Sequence, residues 1–234
     1  MSENNNNHID VLELSGKDVM AFLNNQVVSE LNDKNEAVVY TAICNPKGRI
    51  IFSFFLKNTE KTTYVAINSD LSDTFLQYVQ MRKFRMDVNI NQSTAQLVLT
   101  QNLTNDYGVD IIEAETSTQI TPNHDQFWLH MFDVGLPWIT KETSEMFIPQ
   151  HLNLDQIGVI DFNKGCYPGQ EIVARLHFLG KVKKRMIAVS HKNPSDVVNG
   201  QMADLTGFAK KVEVCAPSIR LGDDWLTQVI APAN

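Results

Sequence analysis

The chain has 234 residues, 43% of them hydrophobic, enough for a substantial core in one elaborate domain or in two to three small ones. Its formal net charge of -7 argues against a protein that coats nucleic acid generally. No apolar run approaches the roughly 20 residues of a membrane span, and the polar opening Met1 to Asp10 lacks the marks of a signal or transit peptide, so a cytoplasmic protein without membrane contact is expected.

In chain order, Ile9 to Leu14 alternates partly and reads as a strand. Ser15 reads as the N-cap of a following helix, with Asp18 three residues on, and Val19, Phe22, Leu23, Val27 and Leu31 as its apolar face. Ala37 to Lys57 is rich in Val, Ile, Phe and Tyr and is split by Asn45-Pro46-Lys47-Gly48, the pattern of a hairpin. Thr62 to Asn68 supplies another strand. Ser69 to Phe84 follows as a helix with Leu71, Phe75 and Val79 spaced four apart, and Met86 to Ile90 as a last strand. The order predicts a ferredoxin-like unit over 1–91 with one strand added and both helices on one face.

A second α+β region is expected over 92–180. It opens with a strand at Ala95 to Gln101, passes an irregular polar stretch from Thr104, and forms a helix near Asn123 to Val134. Val134 to Glu171 is punctuated by Gly, Pro and Asn and reads as loop laid over a scaffold, where function often resides. Trp128 and Trp138 read first as core aromatics and second as flat surfaces for a planar ligand.

The sequence Lys164-Gly165-Cys166-Tyr167-Pro168-Gly169-Gln170-Glu171 then leads into a helix, with Pro168 at an early position, Glu171 in the first turn, Ile172, Val173 and Leu176 on one side and Gly180 as the stop. Cys166 just before a helix N-terminus, with Lys164 beside it, suits a reactive thiol, because both neighbours favour the thiolate. The competing reading is a small packed side chain. Cys44 and Cys215 are far off in sequence and no C-x-x-C occurs, so neither a disulfide framework nor a thiolate metal site is suggested. His124, His130, His151 and His177 lack metal-ligand spacing, and no stably bound metal is expected. Charge is locally reversed here: Lys164, Arg175, Lys181, Lys183, Lys184 and Arg185 face the single acid Glu171. Arg82, Lys83 and Arg85 form a second basic group. Either is a solvated face or an anion site.

Asn163 to Arg175, preceded by Phe147 to Asp155 and followed by Gly180 to Arg185, resembles the signature of the YgfZ family of folate-binding proteins, relatives of the glycine cleavage aminomethyltransferase. Phe22 to Leu31 and Asn45 to Phe54 resemble the family's N-terminal segments. The resemblance implies an aminomethyltransferase-like fold whose last part, 181–234, is a reduced β-barrel-like region. It also implies tetrahydrofolate binding and support for assembly or repair of iron-sulfur enzymes, including those that thiolate tRNA.

Where aminomethyltransferases carry an acidic pair, Arg49 to Ser53 has none, so aminomethyl transfer is not expected. Met131 to Gly135 stands for the family's R-x-E-A-G segment and keeps a carboxylate at Asp133 without its arginine; Asn25 replaces a glycine. On this resemblance Asp133 and Trp138 would serve the pterin. Lys164, Arg175, Lys183 and Lys184 would hold a polyglutamate tail, and Cys166 would be the working thiol. The partners implied are folate, possibly polyglutamylated, and iron-sulfur enzymes or cluster carriers. Two other classes compete: a folate-dependent one-carbon transferase, and an RNA-binding module on tRNA, which the overall acidity disfavours.

Overall fold

A computed structural model describes residues 8–32, 37–100, 108–113 and 121–233. The polar opening before His8, the end of the strand expected at Gln101 and most of the irregular stretch from Thr104 lie outside the described residues.

Five strands, β1 (Ile9–Ser15), β2 (Val39–Cys44), β3 (Ile50–Asn58), β4 (Thr63–Asn68) and β5 (Asn89–Gln92), form an antiparallel sheet in the order β2-β3-β4-β1-β5. The path β5-β1-β4-β3 is the ferredoxin-like arrangement, and β2 is the added strand at its edge. Two helices, α1 (Val19–Asn24) and α2 (Ser69–Arg82), cover one face. Phe52 and Phe54 meet Phe75 of α2 edge to face at 5.2 and 5.4 Å, and Met20 of α1 reaches Thr63 on the same side. On the other face Phe55 stacks on Trp138 at 5.6 Å, and the Ser53 hydroxyl accepts from the Ile139 N–H at 2.8 Å. A sheet buried on both faces needs apolar residues at every position, which is why β2 to β4 read as continuous apolar runs. Each fully buried ring there contributes roughly 1.5–3 kcal/mol.

The start of α1 differs from the sequence expectation. Ser15 ends β1, and Asp18 takes the N-cap position while its carboxylate accepts from the Asp87 N–H at 2.8 Å. The helix also stops at Asn24. The Asn24 side chain accepts from Leu31 N–H at 2.8 Å and donates to Leu31 O at 3.0 Å, and this clamp turns the chain outward. Val27 and Leu31 are buried as their spacing implied, but from a segment laid along β2, with Val27 bridged to Ile43. The exposed edge of β2 is thereby covered.

The second region holds the pair β6 (Gln96–Leu99) and β7 (Val109–Ile112) and the helix α3 (His124–Asp133), closed by a capping box between Asn123 and Gln126. A long loop with a single 3-10 turn, Pro149–Leu152, leads to α4 (Gln170–Leu179). Its N-cap is Gly169, so Pro168 lies just outside the helix rather than in its first turn. The last region contains β8 (Lys184–His191), β9 (Met202–Ala203), β10 (Val212–Val214), β11 (Ile219–Leu221) and β12 (Asp224–Pro232). β12 runs between β8 on one side and β10 and β11 on the other, with β9 beyond β10. Among the described residues this sheet stays open. The main core is continuous from Ile9 to Ile230, and a smaller cluster around Val197, Val214 and Val229 lies inside the last sheet. The fold is α+β.

Candidate functional site

Three stretches far apart in sequence meet around the Lys164 to Glu171 motif and the helix α4 that follows it. The first is the hairpin turn, where the Asn45 side chain accepts from the N–H groups of Lys47 and Arg49 at 2.9 and 3.1 Å and Gly48 takes a φ of 71°. The turn docks on the start of α4. A Cβ added to Gly169, whose φ is 81°, would lie 2.4 Å from the Asn45 carbonyl oxygen and 2.7 Å from the Gly48 Cα. Only glycine fits both the backbone conformation and the contact.

The second stretch follows α1. Lys164 sends its ammonium into the carbonyls of Asn24, Val27 and Ser29 at 2.8, 2.9 and 2.6 Å, 5.7 Å from the Tyr167 ring centre. An ammonium has three protons, and here each has a backbone acceptor. Burial lowers the Lys164 pKa, while Glu30 and Asp161 pull it back up. The side chain thus ties the motif to the chain leaving α1.

The third stretch is the 3-10 turn. Gln150, fully buried, donates to the Val173 carbonyl of α4 at 2.7 Å, and Asn153 donates to Met186 O of β8 at 2.8 Å. Arg185 forms a fork on Asp155, with contacts of 2.5 and 2.9 Å, and also donates to Gln150 O. Thus the segments before and after the motif are cross-linked around α4.

Cys166 is exposed on this frame, and its thiol makes no hydrogen bond among the described residues. Cys44 and Cys215 are buried, and burial pushes the Cys44 thiol up to about 12 and the Cys215 thiol higher still. Only Cys166 is placed to meet another molecule. The motif neighbours divide into frame and surface: Tyr167 is buried, with its phenol pKa pushed upward by burial, Gln170 reaches back toward Lys164 O at 3.4 Å, and Gly165 and Glu171 are exposed. Among the described residues no group of His, Cys, Asp and Glu side chains is arranged to hold a metal ion.

The structure places the residues assigned to folate on resemblance in different settings. Trp138 packs between Phe55 and Phe127 on the face of the sheet opposite α2 and presents no open plane. Asp133 is exposed at the end of α3, and no hydrogen bond, ion pair or ring contact among the described residues joins it or Trp138 to the motif. Lys164 has no proton to spare, and Lys184 is paired with Glu213 at 3.0 Å. Arg175 and Lys183 are exposed, and their side chains form no ion pair or hydrogen bond among the described residues. Of the residues named on the resemblance, Arg175 and Lys183 offer exposed cations, Lys164 and Lys184 are engaged within the chain, and Asp133 and Trp138 make no contact with the motif among the described residues.

Asn24, Ser29 and Gln150 escaped the sequence reading as site residues. The Asn45 turn was legible from its Asn-Pro-Lys-Gly order, but the carbonyl cluster that receives Lys164 is made of backbone and leaves no side-chain signal.

No family model matches the chain. It is 28% identical to the tRNA-modifying protein YgfZ of Blochmanniella pennsylvanica, over 75% of this chain and 67% of that one. Its identity to the tRNA-modifying protein YgfZ of Klebsiella pneumoniae is 38%, over 49% of this chain and 34% of the relative. The crystal structure of glycine cleavage system aminomethyltransferase T from Bartonella henselae superimposes with a TM-score of 0.62, covering 96% of this chain and 76% of that one at 10% identity, a likeness of fold. These matches, with the Lys164 to Glu171 motif built into the same frame as the two N-terminal segments, support assignment of the chain to the YgfZ family.

Proposed function

We propose that this chain is a cytoplasmic, folate-binding accessory protein that supports iron-sulfur enzymes, including those that thiolate tRNA, with Cys166 as its working thiol. One observation carries the reading: the only exposed cysteine stands on a loop locked by Lys164, Gly169 and Gln150 to three separate parts of the chain. Such cross-linking holds a side chain at a fixed place and leaves it open to a partner. The relatives named as tRNA-modifying proteins support the pathway.

The thiol acts transiently: it gives up its proton and lends one thiolate ligand to a cluster in transit, or it attacks a partner's disulfide, forming a mixed disulfide as the other sulfur leaves as a thiolate. A single cysteine does not make a stable cluster site. Aminomethyl transfer finds no support, because the stretch Arg49 to Ser53 carries no carboxylate.

Folate and thiol are tested separately. Calorimetric titration with tetrahydrofolate in mono- and polyglutamate forms should show saturable binding for the wild type and for Cys166→Ala. In cells, Cys166→Ala should lower the activity of a tRNA-thiolating iron-sulfur enzyme. Full activity with Cys166→Ala removes the thiol from the function. No folate binding by the wild type removes the folate.

A further inference from the structure

Helix α4 carries an exposed aromatic cluster that neither the thiol nor the folate uses. Phe162, in the loop before the motif, folds back along α4 and stacks on His177 with ring centres 3.7 Å apart and planes 16° from parallel. Phe178 completes the group, 4.8 Å from His177 and 5.9 Å from Phe162. Phe162 is partly buried against the main core, whereas His177 is exposed, Phe178 is 66% exposed and its neighbour Leu179 83%. Of all α4 residues only Val173 is buried.

Exposed cations accompany these rings along α4 and the chain leaving it. Arg175 lies one helical turn before Phe178 on the same face, and Lys181 and Lys183 follow in the chain leaving α4. All three are exposed, and their side chains make no ion pair or hydrogen bond among the described residues. The remaining basic residues of the stretch are spent internally: Lys164 on carbonyls, Lys184 on Glu213 and Arg185 on Asp155.

A small inorganic anion leaves the three rings unused, and an uncharged aliphatic partner leaves the three cations unmatched. A strand of unpaired nucleotides uses both, stacking bases on the rings and setting phosphates against Arg and Lys. We propose that the α4 face, Phe162, His177 and Phe178 with Arg175, Lys181 and Lys183, binds a single-stranded segment of RNA. RNA is the nucleic acid chosen because relatives of this chain are named as tRNA-modifying proteins. The net charge of -7 restricts contact to this patch and keeps binding weak. The inference does not depend on a folate, since the tail of a folate needs the cations and not the rings.

The test is fluorescence anisotropy with a fluorescein-labelled oligoribonucleotide of about ten nucleotides, single-stranded or annealed to its complement. The wild type should prefer the single strand. Phe178→Ala, a surface change that leaves the core intact, should weaken single-strand binding about fivefold or more. With three phosphate contacts the slope of log K against log salt should be about -2, and Lys183→Glu should flatten it by about 0.7. Equal binding of single strand and duplex with no effect of Phe178→Ala would leave only a general charge effect and overturn the proposal. So would the absence of saturable binding in dilute salt. An acidic amphipathic peptide that binds with the same Phe178 dependence while RNA does not would assign the surface to a protein instead. Phe178→Ala should leave calorimetric tetrahydrofolate binding unchanged, so failure here is separable from failure of the folate reading.

Discussion

Gly48 and Gly169 touch backbone to backbone, each at positive φ, and that contact joins the β2–β3 hairpin to the start of α4. A Cβ on Gly169 would strike the Asn45 to Gly48 turn, and a Cβ on Gly48 would lie 2.9 Å from the Ile172 Cβ of α4, so neither glycine can gain a side chain without parting the hairpin from the helix.

Gly169→Ala should therefore cost more than a left-handed backbone alone. Gly158 is a control with a φ of 74° and nothing within 4 Å of an added Cβ. Gly158→Ala should lose about 1–2 kcal/mol from conformation, and Gly169→Ala at least about 2 kcal/mol beyond that from the clash. Urea midpoints of the two variants give the comparison. Equal losses would mean that the turn and α4 can separate freely.

Lys164 anchors the motif, so its replacement should act on both stability and thiol. Lys164→Met leaves three carbonyls without their donor and should cost about 2–3 kcal/mol, a figure already reduced for the half-exposed setting. The freed loop should also change the rate at which iodoacetamide alkylates Cys166, while Lys164→Arg restores part of both. Unchanged stability together with an unchanged alkylation rate would return Lys164 to the list of ligand contacts.

Local pattern carried much of this molecule. The ferredoxin-like order, the Asn45 turn, the span of α3 and the end of α4 at Gly180 follow from periodicity, glycine and capping residues, all of which act within a few positions. The failures share a cause. The early stop of α1 depends on Asn24 reaching Leu31, and the loss of Ser15 as a cap depends on Asp18 pairing with Asp87, a contact across the fold. The site divides the same way: the motif was legible as a motif, but only the fold shows that Lys164 is spent on carbonyls and that Trp138 is sealed between two phenylalanines.

Tyr167 offers a different kind of test. Its hydroxyl is buried and has no hydrogen-bond partner among the described residues, while its ring packs in the core. Removing an unsatisfied polar atom and keeping the ring should be neutral or stabilising, by up to about 1 kcal/mol. Thermal unfolding of Tyr167→Phe measures it, and a loss above 1 kcal/mol would reveal a partner for that hydroxyl, such as a bound water.

Acid should weaken the fold partly through His151. Burial is the main cause that lowers its pKa from the ordinary 6.5, with Lys184, Arg49 and Arg185 adding to it and Glu213 opposing. The unfolded chain therefore takes up the proton first as the pH falls through 6.5, and stability is lost from there down to the lower folded pKa. His8, lowered mainly by burial and by His124, adds in the same direction. Between about pH 7.5 and 5.5 the wild type should lose more stability than His151→Gln. An identical pH dependence in the two proteins would show that His151 is as easily protonated folded as unfolded.

Adjacent lysines at the start of β8 should behave differently toward a polyglutamylated folate. Lys184 is held by Glu213 across the sheet, whereas Lys183 is exposed and makes no side-chain ion pair among the described residues. Reversing Lys184 sets two carboxylates against each other and should cost up to about 1 kcal/mol of stability, the scale of a surface pair, with little change in ligand affinity. Reversing Lys183 should leave stability unchanged and weaken the polyglutamate form several-fold relative to the monoglutamate, because only the tail carries the extra charge. Calorimetry on Lys183→Glu and Lys184→Glu with both ligands separates the cases. If Lys183→Glu weakens the two folates equally, its charge does not meet the tail, and the tail must be sought at Arg175 or outside α4 altogether.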